Sequence, residues 1–450
     1  MQWPSYPKAI GFCIVLRLLL ALSLDLYLSP PSLDAYSSHN GDKVVQFIND
    51  GPGLLSASSP LTLYANLKET LWLYHHGIDP YGSGTGQSPL YLALSFFPSI
   101  VDHIPINSQI LSKAFGYLLW NIPDVFSAWF LIKIWTARAP SSFKSSSSIA
   151  FLLPTIYLLS PYGILPFLAR STGVWENAVL LGAIAWACDH DPNSKSKSLL
   201  LLALRTHLSL DAFILLPPLI LLLLGSPESM LAEPRPFALR PHLVLEFMAY
   251  WSALTLISTL IVGHWRWMSA TWGASLSLPS MTPNPGLWWY FFTEMFDHFR
   301  PFFLVVFNIH LLMYVAPICI KFQHDPLYAL FILLGILATF KSYPTLSDHG
   351  LFIAFWAIFP EVYPYLRHPF PTFLVLLHSA LLQPLFAHLW LSHGTGNANF
   401  YYASTLVGAC AGGMAVVDAV WAGLRIAIEK AGKDVKEVVE GEEMVVVTQQ

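Results

Sequence analysis

The sequence predicts an all-α, polytopic transmembrane helical bundle of about ten to thirteen spans. Three observations carry that expectation. Only 11% of the 450 residues are charged and 55% are hydrophobic, against about 25% charged in an ordinary soluble domain. Mean hydropathy is +0.54. Apolar runs recur along the whole chain, many of them near the ~20 residues a helix needs to cross a bilayer. A single soluble domain of this length has no interior large enough for so much apolar surface. The formal net charge of −4 offers no basic surface, so no nucleic-acid partner is expected.

The first apolar run, residues 9–28, is too long for the core of a signal peptide. It carries Arg17 and Asp25 and lacks a small-x-small cleavage site, so it reads as an uncleaved anchor. Arg17 and Asp25 are eight residues apart, about 80° around a helix, so each is expected to find another partner. Residues 29–88 form the longest polar piece, a loop followed by an amphipathic helix (LTLYANLKETLWLYHHGI) and a turn (DPYGSGTGQ). Leu63, Leu67, Leu71 and Tyr74 recur at helical spacing, which predicts a helix lying in the membrane interface. This piece is too small for a separate nucleotide-binding or protease domain. Any chemistry must therefore use the membrane portion and its short loops.

Further apolar runs cover residues 89–104, 110–135, 149–168, 174–188, 199–224, 243–262, 302–320, 327–340, 351–359, 370–391 and 401–427. The 199–224 run is interrupted by Pro217-Pro218. Residues 1–428 thus form one polytopic membrane domain. Residues 429–450 mix both charge signs and read as a solvated tail. Lys133, Arg138 and Lys144 surround one loop, Arg235 and Arg240 mark a second, and Lys430, Lys433 and Lys436 mark the tail; the positive-inside rule makes these regions cytoplasmic, and Lys8 suggests the same for the N-terminus. Cys13, Cys188, Cys319 and Cys410 lie in apolar runs without metal-like spacing and read as buried, inert thiols. The sequence has no Walker loop, dinucleotide fingerprint or zinc-protease motif, so no cofactor and no metal is expected.

Polar groups inside an apolar chain mark candidate sites. In TPNPGLWWYFFTEMFDHFRPF, residues 282–302, prolines break the chain and a helix is expected to start at Leu287. Continued to Phe299, that helix places Tyr290, Glu294, Asp297 and His298 on one face, among aromatics suited to the headgroup level. This face is either an interfacial helix with its acids in water or a polar patch that handles a lipid headgroup. In FKSYPTLSDHG, Lys341 follows an apolar run and is joined by Tyr343, Ser347 and Asp348. Lys341 either snorkels to the interface or pairs with a phosphate. In SHGTGNANFYY, Asn397 and Asn399 suit sugar hydroxyls, or one of them caps the helix that follows. Arg170-Ser171-Thr172, with Glu176 one turn on, reads as a structural cap, and Arg205, His207 and Asp211 are placed to pair with one another.

Together these clusters resemble the class U subunit family of the glycosylphosphatidylinositol (GPI) transamidase. The strongest matches are TPNPGLWWYFFTEMFDHF and FKSYPTLSD, supported by GNANFYYA and HGIDPYGSGTGQSPLYLAL. LSPYGIL with ARST, and LRTHLSLDAFILLPP, are looser matches. Pro285, Trp288, Arg300-Pro301 and Asp211 depart from the family pattern. The resemblance implies a multi-pass protein of the endoplasmic reticulum membrane, with a membrane fold similar to that of lipid-linked mannosyltransferases (GT-C-like). It implies a non-catalytic subunit that recognises or presents the GPI lipid, in a complex whose proteolytic residues belong to a caspase-like partner subunit. No residue of this chain is then catalytic. The GPI-binding candidates are Asn397, Asn399, Glu294, Asp297, His298, Lys341, Tyr343 and Asp348, and the partners are the GPI lipid, the other transamidase subunits and membrane lipids.

A different class of function, a dolichol-linked-sugar-dependent mannosyltransferase, needs a carboxylate base in the first luminal loop. Asp34, Asp42 and Asp50 lie there, without an Asp-x-Asp pair. A purely structural scaffold is the third reading.

Overall fold

The computed structural model describes residues 6–28, 57–82, 85–96, 109–138, 147–189, 191–228, 240–391 and 393–440. Asp34, Asp42, Asp50, Lys144 and Arg235 lie outside the described residues. All regular structure among the described residues is helical, with no strand. In chain order the helices are α1 (Tyr6–Leu28), α2 (Tyr64–His75), α3 (Gln109–Arg138), α4 (Ser147–Leu159), α5 (Pro161–Leu168), α6 (Gly173–Ala187), α7 (Pro192–Leu208), α8 (Leu216–Leu224), α9 (Pro241–Val262), α10 (Trp288–Thr293), α11 (Arg300–Met313), α12 (Val315–Lys321), α13 (Pro326–Phe340), α14 (Leu346–Trp356), α15 (Pro369–Leu391) and α16 (Ala398–Glu440).

Among the described residues, five stretches are long and apolar enough to cross a membrane: residues 114–138, 241–262, 300–321, 369–391 and 398–430. The pair α4–α5, bent by 49°, makes a sixth. Shorter apolar helices among the described residues cover 173–187, 210–224 and 326–340. The chain is an all-α polytopic membrane protein, as its composition demands.

One of these shorter apolar helices, α13, explains the arrangement. Every residue of α13 from Pro326 to Thr339 is buried. A helix apolar on all sides suits either a protein interior or lipid; α13, whose 15 residues fall short of the ~30 Å hydrocarbon core, packs against α8, α14 and α16. Its two ends carry buried charge. At the N-terminus Asp325 caps the helix, accepting from the Tyr328 amide at 3.1 Å. The same carboxylate takes both arms of Arg138, at 2.9 and 2.7 Å. Arg138 also reaches Glu361 at 2.6 Å and the Pro227 carbonyl at 3.2 Å. One guanidinium thus ties α3, the end of α8, the start of α13 and the turn after α14. At the other end, about 22 Å away by the helical rise, stands Lys341 with its own partners.

Several local expectations change. The 199–224 run is not one span broken at its prolines. The chain turns back at Ser209, which is extended (φ −150°, ψ 121°), and Pro217 sits in the first turn of α8, where its missing N–H costs nothing. The amphipathic helix forms as α2, but Leu67 and Leu71 pack with Trp120 and Phe167 in the protein core, so its apolar face meets protein; Tyr74 faces outward. Arg17 pairs with Asp124 at 2.6 Å, both buried. Cys13, Cys188 and Cys319 are buried, but Cys410 is exposed on α16. The last helix runs through position 429 to Glu440.

Removing one partner of a buried ion pair leaves an uncompensated charge, a loss of about 3–5 kcal/mol. Arg138→Ala is therefore expected to lower the thermal midpoint of the detergent-solubilised protein sharply. Arg138→Lys, which keeps the charge but loses the two-armed contact, should fall between. A scan of intrinsic tryptophan fluorescence against temperature reads both.

Candidate functional site

The polar residues singled out by the sequence collect at the Lys341 end of the bundle. The segment Leu278 to Leu287 lies along the chain that follows α13. Tyr343 donates its hydroxyl to the Ser280 carbonyl at 2.7 Å, and the Trp288 indole donates to the Phe340 carbonyl at 3.0 Å. Asn284 folds the proline-rich stretch on itself, giving to the Thr282 carbonyl and accepting from the Gly286 amide, each at 2.9 Å. Gly286 is required here by contact: a Cβ would stand 2.6 Å from Cδ of Pro344. Arg300 secures the far side of the segment through the Leu278 carbonyl at 2.6 Å.

This scaffold presents α10. Trp288, Trp289 and Phe292 are buried, while Tyr290, Phe291 and Glu294 turn outward or lie at the margin. Trp289 packs against Tyr401 and Tyr402 at the start of α16. Tyr290 stacks on Tyr402 with ring centroids 4.4 Å apart, and its hydroxyl donates to Oδ1 of Asn399. Between α10 and the start of α11 opens a cleft of about 390 Å³, lined by Tyr290, Phe291, Glu294, Met295, Phe296, Phe299, Phe303 and Tyr402. Glu294 is its one charged wall. Phe296 and Phe302 stand outside with 74% and 64% of their surface exposed.

The expected single helix over 287–299 does not form. α10 ends at Thr293, and residues 294–299 make turns before α11 begins at Arg300. The Arg300-Pro301 pair opens the new helix with Pro at its first turn, where it is tolerated. Glu294, Asp297 and His298 therefore do not share a helical face. Glu294 faces the cleft; Asp297 and His298 are exposed in the turn, with the imidazole tilted against the Phe299 ring, centroids 4.0 Å apart.

The two asparagines divide their work. Asn397 caps α16, its Oδ1 accepting from the Phe400 amide at 3.1 Å. Asn399 is the one that joins the cleft wall, through Tyr290. Lys341 neither snorkels nor faces solvent. It is buried and bonded to Asp348 at 2.8 Å and Asp211 at 3.2 Å. Asp211 continues to Arg205 at 3.5 Å, and Arg205 to Glu176 at 3.1 Å. Asp348 also closes a capping box with Thr345, which fixes the start of α14. Burial opposes the charge on Lys341, but Asp211 and Asp348 outweigh it and hold the ammonium pKa above the ordinary lysine value. Lys341, Tyr343 and Asp348 thus lie behind the cleft, supporting the segment that carries it.

His207 does not join the expected pairing with Arg205 and Asp211. It sits between the hydroxyls of Ser88 and Ser258, at 3.1 and 3.0 Å. Arg170 stacks on Tyr117 and Tyr64 instead of capping a helix, and its backbone is held at φ 50°. Among the cleft residues, Tyr402, Met295, Phe299 and Phe303 escaped the sequence reading. Tyr402 carried a signal, as the last residue of the SHGTGNANFYY stretch. Among the described residues no cluster of His, Cys, Asp or Glu could hold a metal ion.

Lys341→Met leaves Asp211 and Asp348 facing one another without their shared cation, at a cost of about 3–5 kcal/mol. A base with a raised folded-state pKa contributes fully below its unfolded value and loses that contribution only as pH rises through the folded value. Thermal melts from roughly pH 6 to 9 should therefore show a constant gap between wild type and Lys341→Met. Narrowing of that gap as pH rises through this window would contradict the assignment.

A family model described as GPI transamidase subunit PIG-U matches residues 32–408. The Saccharomyces cerevisiae protein named GPI transamidase component GAB1 is 30% identical over 369 residues, 82% of this chain and 87% of that protein. The Homo sapiens protein named GPI-anchor transamidase component PIGU is 31% identical over 363 residues, 77% of this chain and 82% of that protein. The Schizosaccharomyces pombe protein named GPI transamidase component GAB1 homolog is 30% identical, over 78% of this chain. These matches take in the cleft, the buried ion network and most of the helical bundle between them, and the chain belongs to the PIG-U family of GPI transamidase subunits.

Proposed function

We propose that this chain recognises the GPI lipid for the transamidase, in the endoplasmic reticulum membrane, and does not itself carry out the acyl transfer. The observation that supports this reading is the cleft beside α10. It combines one carboxylate with aromatic walls, a joined pair of phenol and amide, and an opening at the level of exposed phenylalanines. Carboxylate and amide groups bind sugar hydroxyls, and flat aromatic faces cover the apolar side of a sugar ring. The outer face of α11 continues from the cleft with Val305, Val306 and Ile309 exposed, a hydrocarbon track suited to the lipid tail.

In this reading Glu294 and Asn399 contact the glycan, with Asp297 and His298 at the rim. Asn397 orients the helix that carries Asn399, and Lys341, Tyr343 and Asp348 position the α10 segment. The nucleophile and its base come from a caspase-like partner subunit.

The test is complementation of cells that lack this subunit. Loss of one hydrogen bond to a charged group weakens binding about tenfold or more. Glu294→Ala and Asn399→Ala are expected to lower surface display of a GPI-anchored reporter by about that factor, while the other subunits still co-purify. Normal display by Glu294→Ala, by Asn399→Ala and by the double variant, in an assembled complex, would favour a scaffold role and overturn the proposal.

A further inference from the structure

A second cavity lies far from the cleft and has a different character. It is a slot of about 360 Å³ between α8, α9 and the α11–α12 span. Ile220 and Leu221, Val244, and Leu312, Ala316 and Ile320 form its main walls, and every lining side chain is hydrocarbon or thiol. Such a slot offers nothing to a polar ligand and selects a chain of methylenes by burial alone. The spans on two of its sides, residues 241–262 and 300–321, leave most of their surface exposed, so the slot opens to the bilayer.

Its position along the bundle is fixed by sequence register. Ile320 stands five residues before Asp325, the partner of Arg138. α8 ends four residues after Ile220, and the Pro227 carbonyl then accepts from Arg138. Val244 is one helical turn beyond Arg240. The slot therefore belongs to the Arg138 end, which the positive-inside rule assigns to the cytoplasm. On α11 the cleft uses Phe303 and the slot begins at Leu312, about 14 Å further along the axis. The two cavities face opposite leaflets.

Lys321 and Arg240 are exposed where these helices leave the apolar layer. Of the acids nearby, Glu246 accepts from the Tyr250 hydroxyl at 3.0 Å, and Glu228 lies past the end of α8. A phosphate is the anion found at that depth. We propose that the slot holds one acyl chain of a glycerophospholipid of the cytoplasmic leaflet, with Lys321 and Arg240 meeting its phosphate. This is a bound lipid distinct from the one in the cleft, on helices the cleft does not use at that depth.

The experiment uses the full chain in its native complex, reconstituted into vesicles of phosphatidylcholine in which a fraction carries a diazirine on one acyl chain. After illumination, labelled peptides are expected to concentrate on 216–221 and 312–320, about tenfold above Leu256 and Leu260 on the outer faces. Ala316→Phe plugs the slot and should lower that labelling about tenfold, the effect of two methylenes lost from burial, with Leu260 labelling unchanged. If Ala316→Phe fails to assemble, Ala316→Leu and the pair Lys321→Glu with Arg240→Glu carry the test, each lowering slot labelling several-fold. Uniform labelling of all outer faces would overturn the proposal. So would slot peptides left unlabelled in the assembled complex while Leu260 is labelled, as a helix of another subunit filling the slot would leave them, or slot labelling displaced by added GPI.

Discussion

The protein is organised around one helix that is buried along its whole length. α13 is apolar on every side, and each end is fastened by a buried cation shared between acids. Placing such charges inside a membrane protein is costly unless each is paired and bonded. The pairs are therefore also registers. Arg138 can satisfy Asp325 and Glu361 only if α3, α13 and the turn after α14 arrive at one depth. Lys341 can satisfy Asp211 and Asp348 only if α7, α8 and α14 arrive at another. The packing of greasy helices leaves sliding along their axes weakly specified, and these two knots remove that freedom.

The cleft inherits its shape from the second knot. Lys341 fixes the chain that follows α13, that chain fixes the proline-rich segment through Tyr343 and Pro344, and the segment delivers α10. The aromatic residues of α10 then divide by side. Trp288 and Phe292 fasten it to the bundle, and Tyr290 and Glu294 remain available. A ligand-facing surface built this way moves little, because each support is itself buried and bonded.

Much of this was legible in the sequence. Composition alone decided the class, and the motifs around Glu294, Lys341 and Asn399 identified the family. The amphipathic spacing of Leu67 and Leu71 foretold a helix with one buried face, but periodicity cannot say whether lipid or protein covers it. The helix break at Glu294 was missed because its residues permit a helix; the Arg300-Pro301 pair supplies a new start, and tertiary contacts choose between one helix and two. Lys341 misled for a related reason. A lysine after an apolar run looks like an interfacial anchor until Asp211, 130 residues earlier, is brought beside it. Long-range pairing of charges is invisible to local pattern, whereas a charge inside an apolar run, such as Arg17, already signalled that a partner existed.

The final helix has a geometric consequence. α16 contains 43 residues, about 65 Å of continuous rod at the helical rise, while a bilayer with its headgroups measures about 40–45 Å. Starting at the cleft, it crosses the whole membrane and emerges roughly 20 Å on the far side. Tyr365 bonded to Glu429 and Arg367 stacked on Trp421 steady it as it leaves. The same stiff shaft thus begins beside the sugar-binding candidate residues and finishes in the opposite compartment, so anything that tugs on its outer tip bears mechanically on Asn399.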